Sequence, residues 1–347
     1  METVKKSSTL HRVCFVAGKS GGHILPCITL AQNMLGVNPD CDILFFSTAS
    51  SLDKQIIAKN SFVKKYIALD FEASNLKNIL TWPRFLYTLA KSFIKSIREL
   101  KKHKPEVVIS TGGFIAIPVC LTARILRIPV ELYELNVVPG QAIKFLAPCA
   151  QKIWICFKET ATYLPHKKCT LTQYPVKFNE QKLISKDKVL DSLKFSPNRK
   201  TILVLGGSQG SLFINRSMIE LFEQQPTLAH VVQVVHQTGS LDRTDWKKIY
   251  DQKGVPCIVF DYAQDLEAYY QIADLIICRA GAGTLAEISF FNKKCITIPL
   301  ETKTNSHQVD NALAAARLRP DLFTVINQEA ITHDYRILCE GVARFLQ

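Results

Sequence analysis

Four short clusters in this chain gather residue types that handle phosphate, sugar hydroxyls and protons. Gly18, Gly21 and Gly22 interrupt an apolar run at 13–16 and precede an apolar segment of helical length that begins at Ile24. Strand, glycine loop and helix therefore follow one another, with His23 at the helix mouth. Backbone N–H groups and a helix N-terminus in such a loop suit an anion, and an imidazole beside it titrates near neutral pH. The second cluster, GGSQGS at 206–211, repeats the plan between the apolar run 201–205 and a helical pattern carrying Ile214, Met218 and Leu221. Its amides suit a diphosphate. In the third, RAGAGTLAE at 279–287, Glu287 lies one helical turn beyond Gly283, where a carboxylate accepts two ribose hydroxyls. Gly281, Gly283 and Thr284 let phosphate approach the backbone. The fourth gathers Asn305, His307, Gln308, Asp310 and Asn311 after a strand, donors and acceptors of the kind that hold sugar hydroxyls. Each has a plain alternative: a tight turn, a helix-capping histidine, a first-turn acid, a solvated loop.

Spacing excludes several chemistries. Gly18-Lys19-Ser20 is not a nucleotide-wrapping phosphate loop, because the glycine needed five residues earlier is Val13, inside the strand. The 206–211 loop lacks the GxGxxG spacing and following acid of a dinucleotide oxidoreductase. Asp40-Cys41-Asp42 has the outline of a metal-binding pair but leads straight into a strand and reads as a turn. The 11 cysteines are scattered without a CxxC pair, which fits buried thiols in a reducing cytosol. METVKKSSTLHR carries no apolar leader, and no stretch nears the ~18 apolar residues of a membrane span. The expectation is a chain neither secreted nor membrane-spanning.

The elements that must hold these clusters follow from periodicity. Apolar strand-like runs at 42–47, 64–69, 106–110, 130–133 and 152–156, and again at 201–205, 231–235, 257–260, 274–278 and 295–298, alternate with helical patterns. Such alternation predicts an α/β protein of two doubly wound Rossmann-like domains, 1–173 and 174–347. The boundary falls near Tyr174 and Pro175, ahead of a polar, strandless stretch at 178–200. Charge divides the same way: 23 Lys+Arg against 11 Asp+Glu in the first domain, 20 against 19 in the second. An anionic partner therefore meets the first half.

The main basic feature is 75–104. Arg84, Lys91, Lys95, Arg98 and Lys102 share one helical face, Leu86, Leu89, Phe93, Ile97 and Leu100 mark another, and Leu76, Ile79, Leu80, Trp82 and Phe85 lead in. Glu99 is the sole acid among eight basic residues. This pattern predicts peripheral docking on an anionic membrane, with Trp82 and Phe85 inserting and Arg84, Lys91 and Lys95 near the headgroups. Nucleic acid is not the expected partner.

Together GKSGGHILP, STGGF, YELNVVPGQA, YPVK, GGSQGS, CRAGAGTLAE and HQVDNA, in this order from about residue 12 to 326, resemble the MurG family. Its members are UDP-N-acetylglucosamine:lipid-linked muramoyl-pentapeptide N-acetylglucosaminyltransferases of peptidoglycan synthesis. The resemblance implies a GT-B fold, two Rossmann-like domains facing a cleft, with lipid acceptor and membrane on the first and UDP-sugar on the second. It implies inverting transfer with no required cofactor, a divalent metal at most accessory. It also implies a peripheral place on the cytoplasmic face of the bacterial inner membrane, among cell-wall synthesis and division proteins. By position it makes His23 the general base and gives the acceptor's diphosphate to Gly18, Ser20, Gly21, Gly22, Gly112 and Gly113. The donor falls to Ser20, Gly22, Asn136, Lys177, Gly207, Ser208, Gln209, Gly210, Tyr262, Ala263, Gly281, Gly283, Thr284, Glu287, His307 and Gln308. Of these, Tyr262 and Ala263 line uracil, Glu287 binds ribose, and His307 with Gln308 contacts N-acetylglucosamine.

The chain departs from the family pattern at several points. Lys19 and Ser20 stand where Gly and Thr are usual, Tyr133 and Leu135 replace two polar residues of an HEQN pattern, and Lys177 replaces an arginine. Ile117 replaces a glycine, and only about 20 residues follow Ile326. Two other classes would keep the donor loops: another GT-B enzyme, such as a UDP-N-acetylglucosamine 2-epimerase or a glycolipid glycosyltransferase, and a non-catalytic membrane-associated UDP-sugar-binding protein.

Overall fold

The computed structural model describes residues 10–18, 21–71, 81–207, 209–263, 265–301 and 307–346. Backbone proximity divides the chain between Pro175 and Val176 into two compact units. The first runs β1 (Arg12–Val16), α1 (Gly21–Val37), β2 (Asp42–Thr48), α2 (Ser51–Ala58), β3 (Lys65–Leu69), α3 (Trp82–His103), β4 (Val107–Ser110), α4 (Ala116–Ile125), β5 (Val130–Glu134), α5 (Gln141–Leu146), β6 (Lys152–Ile155) and β7 (Cys169–Leu171). The second runs α6 (Lys186–Leu193), β8 (Lys200–Leu205), α7 (Leu212–Gln224), α8 (Leu228–Val231), β9 (Val232–Gln237), α9 (Trp246–Gln252), β10 (Cys257–Phe260), α10 (Glu267–Ile272) and β11 (Leu275–Cys278). It continues with α11 (Ala282–Phe290), β12 (Lys294–Thr297), α12 (His307–Leu318), β13 (Phe323–Val325), α13 (Gln328–His333) and α14 (Arg336–Leu346).

Both sheets are parallel and ordered alike: β3-β2-β1-β4-β5-β6-β7 and β10-β9-β8-β11-β12-β13. The continuous apolar runs have a simple cause. Alternate residues face opposite sides of a sheet covered by helices on both faces, so nearly every position of the central strands β1, β4, β8 and β11 is buried. In β1, Cys14 and Val16 join one core layer and Val13 and Phe15 the other; Ile202 and Val204 against Leu203 and Leu205 divide β8 the same way. The three-residue edge strands β7 and β13 escaped prediction because so short a run carries no period. The switch of direction falls between β1 and β4 in the first unit and between β8 and β11 in the second. Loops at the carboxyl ends of those pairs are where ligands bind in this architecture.

Helix α3 corrects part of the expectation for 75–104. Its buried side is a small-residue stripe, Ser92 and Ser96 with Leu100, whose hydroxyls donate back to the Thr88 and Ser92 carbonyls at 2.7 Å each. Phe85 does not point outward. It packs between Phe71 and Phe114, ring centroids 5.5 and 6.4 Å away, against the core. Leu86, expected on the packed face, is 54% exposed, and Trp82, Tyr87 and Ile94 are exposed with it. Lys95 remains exposed, but its ammonium donates to the Ala68 carbonyl at 2.8 Å. The leading Leu76, Ile79 and Leu80 lie outside the described residues. No described helix is long and apolar enough to cross a membrane.

Candidate functional site

In the first unit the helix begins at Gly21, not Ile24, so Gly21, Gly22 and His23 form its first turn and their amides point out of the helix mouth. Gly18 is required by packing: a methyl there would lie 2.7 Å from Asp53 Oδ2 and 2.8 Å from Ser47 Oγ. Asp53 is fully buried and accepts from Ser47 Oγ (2.6 Å), Thr48 Oγ1 (2.5 Å) and Thr48 N (3.1 Å). From the neighbouring strand end, Gly112 and Gly113, at φ +100° and +85°, close on the same place. A methyl on Gly113 would meet the Gly18 carbonyl at 3.1 Å, and one on Gly112 would meet the His23 ring at 3.6 Å. The half-buried His23 ring has Nδ1 3.0 Å from the Thr111 carbonyl. A carbonyl only accepts, so Nδ1 carries the hydrogen and Nε2 keeps its lone pair. Burial holds the imidazole below its ordinary pKa, against the opposing pull of that hydrogen bond.

The departures at 133–136 prove to be internal. Tyr133 stacks on Trp154 in the core and Leu135 is buried beside it, so both face away from the loop. The buried Glu134 carboxylate organises that loop instead: it accepts from the amides of Leu135, Asn136 and Gly140 at 2.9 Å each and from Asn136 Nδ2 at 3.2 Å. Burial raises its pKa while the amides oppose the rise. Asn136 is thereby fixed at the carboxyl end of β5, next but one to β1. Sequence reasoning gave Glu134 no role; its place just before an Asn and a Pro-Gly turn was the available signal.

In the second unit the 206–211 loop is held by backbone contact. A methyl on Gly210 would overlap the Thr238 carbonyl, one on Gly239 would overlap Gly210, and Gly206 is as tightly placed against Ser211. Gly207, at φ +90°, has open space beside it, and Gln237 Nε2 donates to its carbonyl at 2.9 Å. Gln209 is exposed at the loop. Ser211 caps α7, accepting from the Ile214 amide at 3.3 Å. Arg279, which sequence reasoning passed over, is 8% exposed directly after β11. Its Nε donates to Ser211 Oγ at 3.1 Å, Nη1 to the Ile298 carbonyl at 3.1 Å, and Nη2 to Gln328 Oε1 at 2.7 Å. Burial lowers its pKa to about 10, so it stays a cation. An arginine inside an apolar strand end was the signal, since a charge placed there must have partners.

Gly281 caps α11, whose first turn holds Gly283 and Thr284. Glu287 is half-buried one turn on, accepting from the Tyr270 hydroxyl at 2.8 Å. Burial raises its pKa, with Tyr270 and Lys177 opposing. Tyr262, half exposed, feels the Glu287 charge, and Ala263 adjoins it. Lys177 lies 3.9 Å from Asp265. Gln308 acts as a brace, its carbonyl accepting from the amides of Ala280 (3.2 Å) and Leu300 (3.0 Å) and so tying two loops together. His307 opens α12 beside it. Lys19, Ser20, Ser208 and Asn305 lie outside the described residues. Within each unit, the described candidates gather at strand carboxyl ends and the helices that follow them.

The glycosyltransferase family 28 N-terminal domain model matches residues 13–155 and the family 28 C-terminal domain model residues 201–332. The UDP-N-acetylglucosamine–N-acetylmuramyl-(pentapeptide) pyrophosphoryl-undecaprenol N-acetylglucosamine transferase of Myxococcus xanthus is 32% identical over 87% of this chain and 77% of its own. The protein of the same name from Bacillus pumilus is 32% identical over 93% and 87%. In fold, the chain is similar to the crystal structure of Acinetobacter baumannii MurG, with a TM-score of 0.73 at 22% identity over 97% of this chain and 91% of that one. It also resembles UDP-GlcNAc 2-epimerase from Neisseria meningitidis, at 0.62 and 15% over 96% and 93%. The sequence likeness, spanning both units, separates these two neighbours: the chain belongs to the MurG family of glycosyltransferase family 28, and its fold is GT-B.

Proposed function

We propose that the chain transfers N-acetylglucosamine from UDP-N-acetylglucosamine to the 4-hydroxyl of undecaprenyl-diphospho-N-acetylmuramoyl-pentapeptide, with inversion, in peptidoglycan synthesis. Its family membership supports the reaction class, and the His23 geometry carries the mechanism. With Nδ1–H engaged by the Thr111 carbonyl, Nε2 accepts the proton of the attacking hydroxyl. The new bond forms between that oxygen and the anomeric carbon, and the bond from that carbon to the diphosphate oxygen breaks. UDP departs with the electron pair, and the proton stays on His23. Amides of Gly21 and Gly22 at the mouth of α1, with the loop at Gly112 and Gly113, suit the acceptor's diphosphate. The departing charge is met by the amides of Gly207, Gln209 and Gly210, the N-terminus of α11 and the Arg279 cation behind Ser211, so a divalent metal is at most accessory. Glu287 takes the ribose, Tyr262 and Ala263 flank the uracil, and His307 and Gln308 adjoin the sugar.

The chain works as a peripheral protein on the cytoplasmic face of the bacterial inner membrane, near the other cell-wall synthesis and division proteins. What supports this is α3, where exposed Trp82, Leu86, Tyr87 and Ile94 run beside exposed Arg84, Lys91 and Arg98. Transfer of label from UDP-[14C]N-acetylglucosamine to the muramoyl-pentapeptide lipid tests the reaction. Appearance of a labelled disaccharide lipid, undiminished by EDTA, is expected. Label lost only to 2-epimerised UDP-sugar, or UDP-sugar bound without turnover, would replace this reading with an epimerase or a binding protein.

A further inference from the structure

The geometry points to Thr111 as a positioning residue for proton transfer, which fixes both the ring orientation and the main-chain position of His23 through a reciprocal pair of hydrogen bonds. This rests on His23 acting as the base. The two residues are 88 apart in sequence yet exchange two bonds: His23 Nδ1–H donates to the Thr111 carbonyl at 3.0 Å, and Thr111 Oγ1–H donates to the His23 carbonyl at 2.7 Å. The first bond sets which way the imidazole turns. The second sets where the first turn of α1 stands against the sheet. With either alone, ring or helix could pivot; together they define where Nε2 points.

Three further observations bear on this. Thr111 is 2% exposed and sits directly after β4, so its own position is fixed by β4, which is paired with β1. Cys27, one turn beyond His23 on α1, also has Thr111 as a hydrogen-bond neighbour, which makes Thr111 a staple for that helical face. Gly112, the next residue, holds φ +100° with a Ser110 Oγ contact to its amide at 3.0 Å. Its missing side chain leaves the space against which the imidazole lies. The carbonyl bond also selects the tautomer, a function that outer-shell carbonyls serve in metal and catalytic histidines generally.

The test uses the full chain, enriched in 15N-histidine, with the His23 signal assigned by its loss in His23→Gln. The parent is expected to show the Nδ1–H tautomer at His23; an Nε2–H ring overturns the inference without any Thr111 variant. Thr111→Val keeps the carbonyl and the shape and removes only the hydroxyl. It is expected to lower kcat with saturating lipid acceptor about 10-fold. KM for UDP-N-acetylglucosamine should stay within about twofold. The His23 signal should move toward a tautomer mixture, and the acid limb of the pH profile further downward, because the hydrogen bond that opposes the effect of burial is loosened. Thr111→Ser, which retains the hydroxyl, should bring all three back. If Thr111→Val leaves kcat unchanged, or lowers it with the parent's tautomer and pH profile, the positioning role is wrong. Full turnover by His23→Gln would instead remove the base assignment, leaving the spectra to judge the Thr111 contact separately.

Discussion

The two units build one scaffold and put different chemistry on it. In each, a central strand runs into a glycine loop and a helix, and a parallel neighbour ends beside that loop. The residue directly after that neighbouring strand is Thr111 in the first unit and Arg279 in the second, and each reaches across to the start of the glycine-loop helix. Thr111 holds an imidazole whose open nitrogen is the proton acceptor of the proposed mechanism. Arg279 holds Ser211, the cap of α7, and brings a fixed positive charge behind the amides. In the proposed reaction, one topological position thus serves proton transfer or charge stabilisation, depending on whether a hydroxyl or a guanidinium occupies it.

Breaking the proton side should have the largest effect. His23→Gln removes the proposed base while keeping a polar side chain and is expected to lower kcat roughly 100- to 10,000-fold, with donor KM little changed. Steady-state transfer to the lipid acceptor measures this. In the parent, the lowered imidazole pKa keeps the base form populated as pH falls, so the acid limb of kcat/KM should lie below the ordinary value near 6.5.

On the charge side, Arg279→Lys keeps a cation but loses the fork that reaches Ser211, Ile298 and Gln328 together. A fall in kcat of roughly 10- to 100-fold is expected, with weaker UDP binding by calorimetry. Equal activity would show that point charge alone suffices and would weaken the contrast with Thr111.

A smaller effect concerns pH and stability in the second unit. His236 is buried between Asn215, which its Nε2–H reaches at 3.0 Å, and the Tyr250 hydroxyl, 2.9 Å from Nδ1. Burial pushes its pKa down to about 3. The folded chain therefore keeps this ring neutral where the unfolded chain protonates it. Its contribution is complete above about pH 6.5 and is lost as pH falls toward 3, by at most ~1.4 kcal/mol per pH unit. Urea midpoints at pH 7, 6 and 5 should fall, and less steeply in His236→Asn. A parallel slope in the variant would assign the acid sensitivity to other groups.

The smallest effect separates the surfaces. Trp82→Ala with Leu86→Ala should cut binding to anionic vesicles severalfold without moving Tm, whereas Phe85→Ala should lose about 2 kcal/mol of stability and leave vesicle binding unchanged. The opposite pattern would return Phe85 to the membrane.

Much of the architecture was legible because its causes are local. Continuous apolar runs mark strands buried on both faces, and glycines after them mark loops, so two doubly wound sheets could be read from periodicity. The donor motifs were legible as motifs. Phe85 was misread because helical periodicity places side chains around an axis but does not say which neighbours cover which side. Three facing arcs on α3, one of serines, one apolar and exposed, one basic, become distinct only once α4 and Phe71 occupy the space beside it. Glu134 and Arg279 were passed over for a related reason: a charged residue inside an apolar stretch says that partners exist, without saying where.

The sequence by itself determined all but the two shortest edge strands, their glycine loops, the basic first half and the residue types at each strand end. These follow from hydrophobic period, backbone freedom and charge, all properties of neighbouring residues. Only the tertiary structure decided that Thr111 meets His23 and that Arg279 meets Ser211, contacts between residues 88 and 68 apart. It also decided that Gly18 is glycine because Asp53 crowds it and Gly210 because Thr238 does. Hydrogen bonds and steric exclusion act over a few ångströms, and which distant residues come that close is set by strand order and register, which no local stretch of chain contains.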